Sequence, residues 1–173
     1  LTAYGHIDWQ ADDIAEFVQY WRGVQGEGGI PRQSDIDPAE IRHLLPGVAI
    51  CEMRASDHIH CRLVGTGLVH DFGRELTDSN FLDMWQDSHR GEVYEALQAV
   101  TSGPCGILVT LAATTECGLT LTAYAVGLPL LDGEGDPNRL IFHVAWPERS
   151  GSRVPREDKV ETFAVARRTF FPV

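Results

Sequence analysis

Apolar positions recur at helical spacing between Asp12 and Val24, where Ile14, Phe17, Val18 and Trp21 share one face; the spacing predicts an amphipathic helix capped by Asp12 or Asp13. The run GEGGIP at 26–31 stops it, and Asp37-Pro38 opens a second helix of about two turns that Pro46 ends. The pattern then changes to period two. VAICEMR (48–54) and HIHCRLV (58–64) read as a hairpin about Ala55-Ser56-Asp57, with Ile59, Cys61 and Leu63 on one face and His60 and Arg62 on the other. Gly65-Thr66-Gly67 breaks the second strand, and LVHDFG is a short helix closed by Gly73. A turn-like, aromatic run occupies 77–86, followed by a helix from Gly91 to Thr101 with Val93, Tyr94, Leu97 and Val100 as its stripe. Ser102-Gly103-Pro104 ends that helix.

Three further strands are predicted at 105–113, 119–131 and 139–146, the last two separated by the turn cluster DGEGDPN. In the middle strand Thr120, Thr122 and Tyr124 alternate with Leu119, Leu121 and Ala123. Beyond Pro147, Pro155 is read as opening a final amphipathic helix carrying Val160, Phe163, Ala164, Arg167 and Phe170. Strands cluster rather than alternate with helices, so the class is α+β with a five-stranded, mostly antiparallel sheet. The expected organisation is a helical flank over 1–45, a core over 46–147 and a C-terminal helix over 148–173.

Three segments sharpen this reading. SDIDPAEIRHLLPGVAICE, CRLVGTGLVHDFGRELTDSNFLDM and LPLLDGEGDPNRLIF together resemble a bacterial PAS-like sensory family over roughly residues 30–147. The Arg-Leu-x-Gly-Thr to Phe-Gly segment is the most specific. Asp78 departs from the pattern, standing where such domains often place Gly. The resemblance implies a sensory or interaction fold of open ligand, and dimers that pair through helices outside the core. It implies no catalytic residues.

Composition narrows the classes. The 173 residues carry 14 basic and 25 acidic side chains, a net charge of −11. Such a surface repels phosphate backbones and anionic lipid, which argues against nucleic-acid and membrane partners. The opening LTAYGHIDWQADD lacks the features of a signal peptide, so a cytoplasmic location is expected. Cys51, Cys61, Cys105 and Cys117 are scattered and read as reduced thiols.

Candidate chemistry is sparse. His58, His60 and Cys61, with Cys51 on the facing strand, do not share one strand face, so no metal site is predicted. No Gly-x-Ser-x-Gly, His-Glu-x-x-His or Walker A pattern occurs. A haem would need an axial ligand, for which His70 is the best candidate and His89 the next. No cysteine lies between Gly65 and Pro104 to form a flavin adduct. The cofactor therefore stays open.

A cavity between sheet and helices would be lined by Cys61, Leu63, His70, Phe72, Phe81, Trp85, Val109 and Tyr124. A small apolar or aromatic metabolite is the expected ligand. Phe17 and Trp21 on the first helix would either dock on the sheet or meet a second copy in a homodimer. The reading is a bacterial sensing or protein-interaction domain without catalysis, acting through a partner protein or its own dimer. The alternatives are a haem or flavin sensor, or a small enzyme using His70 or His143 as base.

Overall fold

The computed structural model describes residues 7–25, 29–103, 105–147 and 157–173. The expectations that rest on residues 26–28 of GEGGIP, on Pro104 and on Pro155 lie outside the described residues. Helix α1 spans Asp12–Gln25, and strands β1 (Val48–Ala55) and β2 (His58–Val64) form the expected hairpin. Helix α2 (Thr66–Phe72) ends at Gly73, whose φ of 65° suits glycine. A 3-10 turn covers Phe81–Met84, and α3 runs Asp87–Ser102. Strands β3 (Cys105–Thr115), β4 (Thr120–Leu130), β5 (Arg139–Ala145) and β6 (Val160–Pro172) follow.

All six strands form one antiparallel sheet in the order β2-β1-β5-β4-β3-β6. The expected C-terminal helix is wrong: residues 160–172 are β6, paired along β3. Two bulges account for the misreading. Glu161 and Ala166 are each inserted without a partner opposite, so the residues that share one face are Val160, Phe163, Val165 and Arg168. The insertions break the period-two alternation, and the expected stripe of Val160, Phe163, Ala164, Arg167 and Phe170 mixes residues of both faces. The expected helix after Asp37 is instead a series of turns ending in a 3-10 turn at Leu45–Gly47, held by bonds such as Leu44 N to Ile41 O at 2.8 Å.

The sheet has two covered faces. On one, Ile14, Phe17, Val18 and Trp21 of α1 pack with Val126, Leu128, Leu130 and Ile141, all essentially without exposure. The Trp21 indole Nε1 donates to Pro129 O at 3.2 Å. Phe17 and Trp21, expected as dimer contacts, are each 0% exposed within one chain and so are not available to a second copy. On the other face α2, the Phe81–Met84 turn and α3 cover β1–β5 and β6.

Asp78 adopts a φ of 64°, the left-handed conformation that Asp tolerates better than most non-glycine residues. Its N–H donates to Cys61 O at 2.8 Å, so the turn holds with Asp in a position suited to Gly.

Candidate functional site

The face under α2 and α3 encloses an apolar cavity of about 70 Å³. Its wall includes Cys61, Phe72, Phe81, Trp85 and Val109 of the expected set. It also takes Val64, Met84, Leu97, Leu111, Phe142 and Phe163, which the sequence reading did not select. The aromatic rings interlock. Phe81 stacks on Phe142 at 5.2 Å, Phe72 meets Phe163 edge-on at 5.1 Å, and Trp85 lies 5.6 Å from Phe163.

Three expected residues stand elsewhere. Leu63 is 46% exposed because Arg62 is a bulge residue: Cys51 pairs with Cys61 but Ile50 with Leu63, and the skipped position turns Leu63 outward and Val64 inward. His70 is exposed on α2, with its carbonyl accepting from Lys159 Nζ at 2.8 Å. Tyr124 packs on the α1 face, opposite Ala123 and Ala125, as its own alternation required.

Polar groups at the cavity are few. The Trp85 Nε1–H is buried and has no acceptor among the described residues. Arg168, partly exposed, is the charged residue of the wall and pairs with Glu92 of α3 at 2.9 Å. Cys61 of the wall faces Cys51 across the hairpin with Sγ atoms 4.0 Å apart, and this hydrogen bond together with burial pushes the Cys51 thiol up. His58 and His60 stack at 6.2 Å, and His60 lies 3.3 Å from Asp78. Among the described residues no three His, Cys, Asp or Glu side chains converge as a metal cluster would require.

A second, polar cavity of about 190 Å³ lies where β5 ends, between α1, the Leu45–Gly47 turn and α2. Asp13, His43, Gly47, Asp71, His143 and Trp146 are among its lining residues. His143 is 3% exposed and stacks on Phe17 at 5.3 Å. Burial lowers its pKa from 6.5 to about 4; Asp13 and Glu16 pull it up, His43 pushes it down, and the Leu44 carbonyl pulls it up.

An antiparallel sheet with helices over one face and an apolar cavity beneath them is an α+β architecture with room for a small molecule. The chain matches the PAS domain family over residues 10–145 and belongs to that family, whose members are typically sensory or signalling proteins. Solved structures with a similar fold include a light-oxygen-voltage domain studied with a flavin analogue, at 13% identity and a TM-score of 0.49 over 66% of this chain and 87% of that one. The PAS domain of Bordetella pertussis BvgS aligns at 17% identity and TM-score 0.48, covering 65% of this chain and 88% of that one. VqmA bound to DPO aligns at 13% and 0.45, covering 62% and 55%. A search of curated proteins finds no match. No helix among the described residues is long and apolar enough to cross a membrane.

Proposed function

We propose that this PAS domain senses a small, largely apolar molecule carrying one hydrogen-bond acceptor, as part of bacterial cytoplasmic signalling. The observation that carries the reading is the buried Trp85 Nε1–H without an acceptor, in the wall of an otherwise almost wholly apolar cavity. A buried donor left unpaired costs about 1–3 kcal/mol, and a ligand carbonyl or ether oxygen would recover it. An apolar cavity of about 150 Å³ takes up benzene, so the 70 Å³ here must widen for a ligand of that size. Widening moves α2, α3 or the Phe81–Met84 turn, and that displacement is the signal. Output then passes to a partner protein, or to a second copy of the chain, through surfaces other than the sealed Phe17 and Trp21.

A catalytic role has less support. His70 lies outside both cavities, and a His143 held near pKa 4 is a weak base at neutral pH. The test is the mass of the purified protein under native and then denaturing conditions, for the natural chain and for Trp85→Phe. A non-covalent adduct on the natural chain that Trp85→Phe retains poorly supports the reading. An adduct retained equally by both overturns the role given to Trp85.

A further inference from the structure

Two free cysteines meet at the wall of the apolar cavity. Cys51 on β1 and Cys61 on β2 stand directly opposite in the hairpin, each 0% exposed, with Sγ atoms 4.0 Å apart. The Cys61 N–H donates to Ser79 O at 2.9 Å, and its carbonyl accepts from Asp78 N at 2.8 Å, so both backbone groups face away from β1. The pair is therefore a non-hydrogen-bonded one. At such a ladder position facing side chains lie closest, and Cα atoms about 4.5 Å apart fall within disulfide range. A bridge here needs the sulfurs to close by about 2 Å within the existing register.

The two thiols are not equivalent. Cys61 lines the cavity and Cys51 does not. Cys51 donates its S–H to Cys61 Sγ. That bond holds the Cys61 thiol below its ordinary value in spite of burial, and it raises Cys51 well above its own. The thiol on the cavity side is the one that ionises first, and thiolate is the reactive form. An apolar wall admits an oxidant with an apolar body in preference to a hydrated one.

We propose that Cys61 and Cys51 form a thiol switch for a small organic hydroperoxide, an inference that rests on the cavity being the ligand site proposed above. The Cys61 thiolate attacks the terminal oxygen of the hydroperoxide and the O–O bond breaks. The alcohol leaves with the proton that Cys61 gave up, and Cys61 becomes a sulfenic acid. Cys51 then attacks that sulfur, the S–O bond breaks, and water leaves with the Cys51 proton. One hydroperoxide is reduced to an alcohol while two thiols are oxidised to one disulfide, which a dithiol resets. Closing the bridge draws Cys61 out of the cavity wall. Its hydrogen bonds with Asp78 and Ser79 carry the displacement to the Phe81–Met84 turn that covers the cavity.

The test uses the whole chain with Cys105→Ser and Cys117→Ser, so that only the pair reports. tert-Butyl hydroperoxide and hydrogen peroxide are compared by intact mass, with free cysteine as the reference thiol. The expected product has lost two hydrogens, regains them with dithiothreitol, and yields linked Cys51 and Cys61 peptides. Relative to free cysteine, tert-butyl hydroperoxide should be favoured over hydrogen peroxide by about tenfold, because its methyl groups enter the cavity. Cys51→Ser should stop at a Cys61 sulfenic acid that dimedone traps, whereas Cys61→Ser should leave Cys51 unlabelled. No disulfide on a chain that circular dichroism shows folded, or no preference for the alkyl peroxide, would overturn the proposal. Dimedone labelling of Cys51 in Cys61→Ser as fast as that of Cys61 in Cys51→Ser would overturn it too. Methyl NMR with cyclopentanone keeps the two readings apart. Ketone shifts at Val93 and Leu97 without disulfide formation would overturn the thiol switch and leave the ligand site standing. Loss of both the ketone shifts and the alkyl-peroxide preference would overturn both.

Discussion

The two faces of the sheet carry opposite solutions to the same problem. Under α1, one long helix closes the face with Ile14, Phe17, Val18 and Trp21, and the Trp21 indole has its acceptor in Pro129 O. Across the sheet, the cover is assembled from the seven-residue α2, the four-residue Phe81–Met84 turn and α3, and it leaves a cavity. There the Trp85 indole has no acceptor among the described residues. Close packing resists deformation, whereas a face whose cover is divided among three segments around a void opens at lower cost. On the proposed reading, the α1 face anchors the sheet and the opposite face responds.

Breaking the anchored face should have the largest effect. Trp21→Ala removes a fully buried side chain and its hydrogen bond, and should cost about 3–5 kcal/mol in urea unfolding. A loss under about 1 kcal/mol would erase the distinction between the faces. Next in size is pH. His143 lies beneath α1 with a folded pKa near 4, below the ordinary 6.5, so the unfolded chain binds more protons between those values. Stability should therefore fall as pH drops from 6.5 towards 4, by at most about 3 kcal/mol from this group. His143→Phe should flatten that slope when unfolding curves at pH 7 and 4.5 are compared. A mutant that keeps the full slope would assign the acid sensitivity to other groups.

The smallest effect is the sharpest discriminator. Ala96→Leu adds three carbons at the cavity wall and should change stability by less than about 1 kcal/mol. Val126→Phe adds bulk beneath α1, at a position that is 0% exposed within the cluster formed with the α1 stripe, and should cost about 1–3 kcal/mol. Thermal melts of the two variants side by side decide the matter, and equal costs would mean that the cavity is not usable space.

How far the sequence reveals this arrangement depends on how regular each element is. Helix α1 keeps one apolar stripe at helical spacing, and β4 alternates cleanly, so both are readable and their buried faces follow. That same alternation already placed Tyr124 opposite Ala123, away from the cavity. Leu63 and β6 fail for a shared reason: a bulge adds one residue, and every side chain beyond it changes face. In β6 two such insertions break the alternation that would have put Phe163 and Val165 together on one sheet face. Phe81 and Trp85 stood out as large apolar residues in a turn-like run. The missing acceptor of Trp85 and the enclosure of His143 depend on long-range packing, and no local pattern encodes them.

The central claim is that the responsive face holds a usable apolar site whose one directional group is Trp85. The most direct measurement is a titration with cyclopentanone and, as control, cyclopentane, followed by methyl NMR on both faces at once. The account predicts saturable ketone shifts at Val93, Leu97, Val109 and Leu111, with Ile14, Val18, Leu128 and Leu130 unmoved. Affinity for the ketone should fall about fivefold in Trp85→Phe, the worth of one hydrogen bond, while that for cyclopentane stays the same. Shifts of equal size on both faces, or ketone binding indifferent to Trp85→Phe, would contradict it.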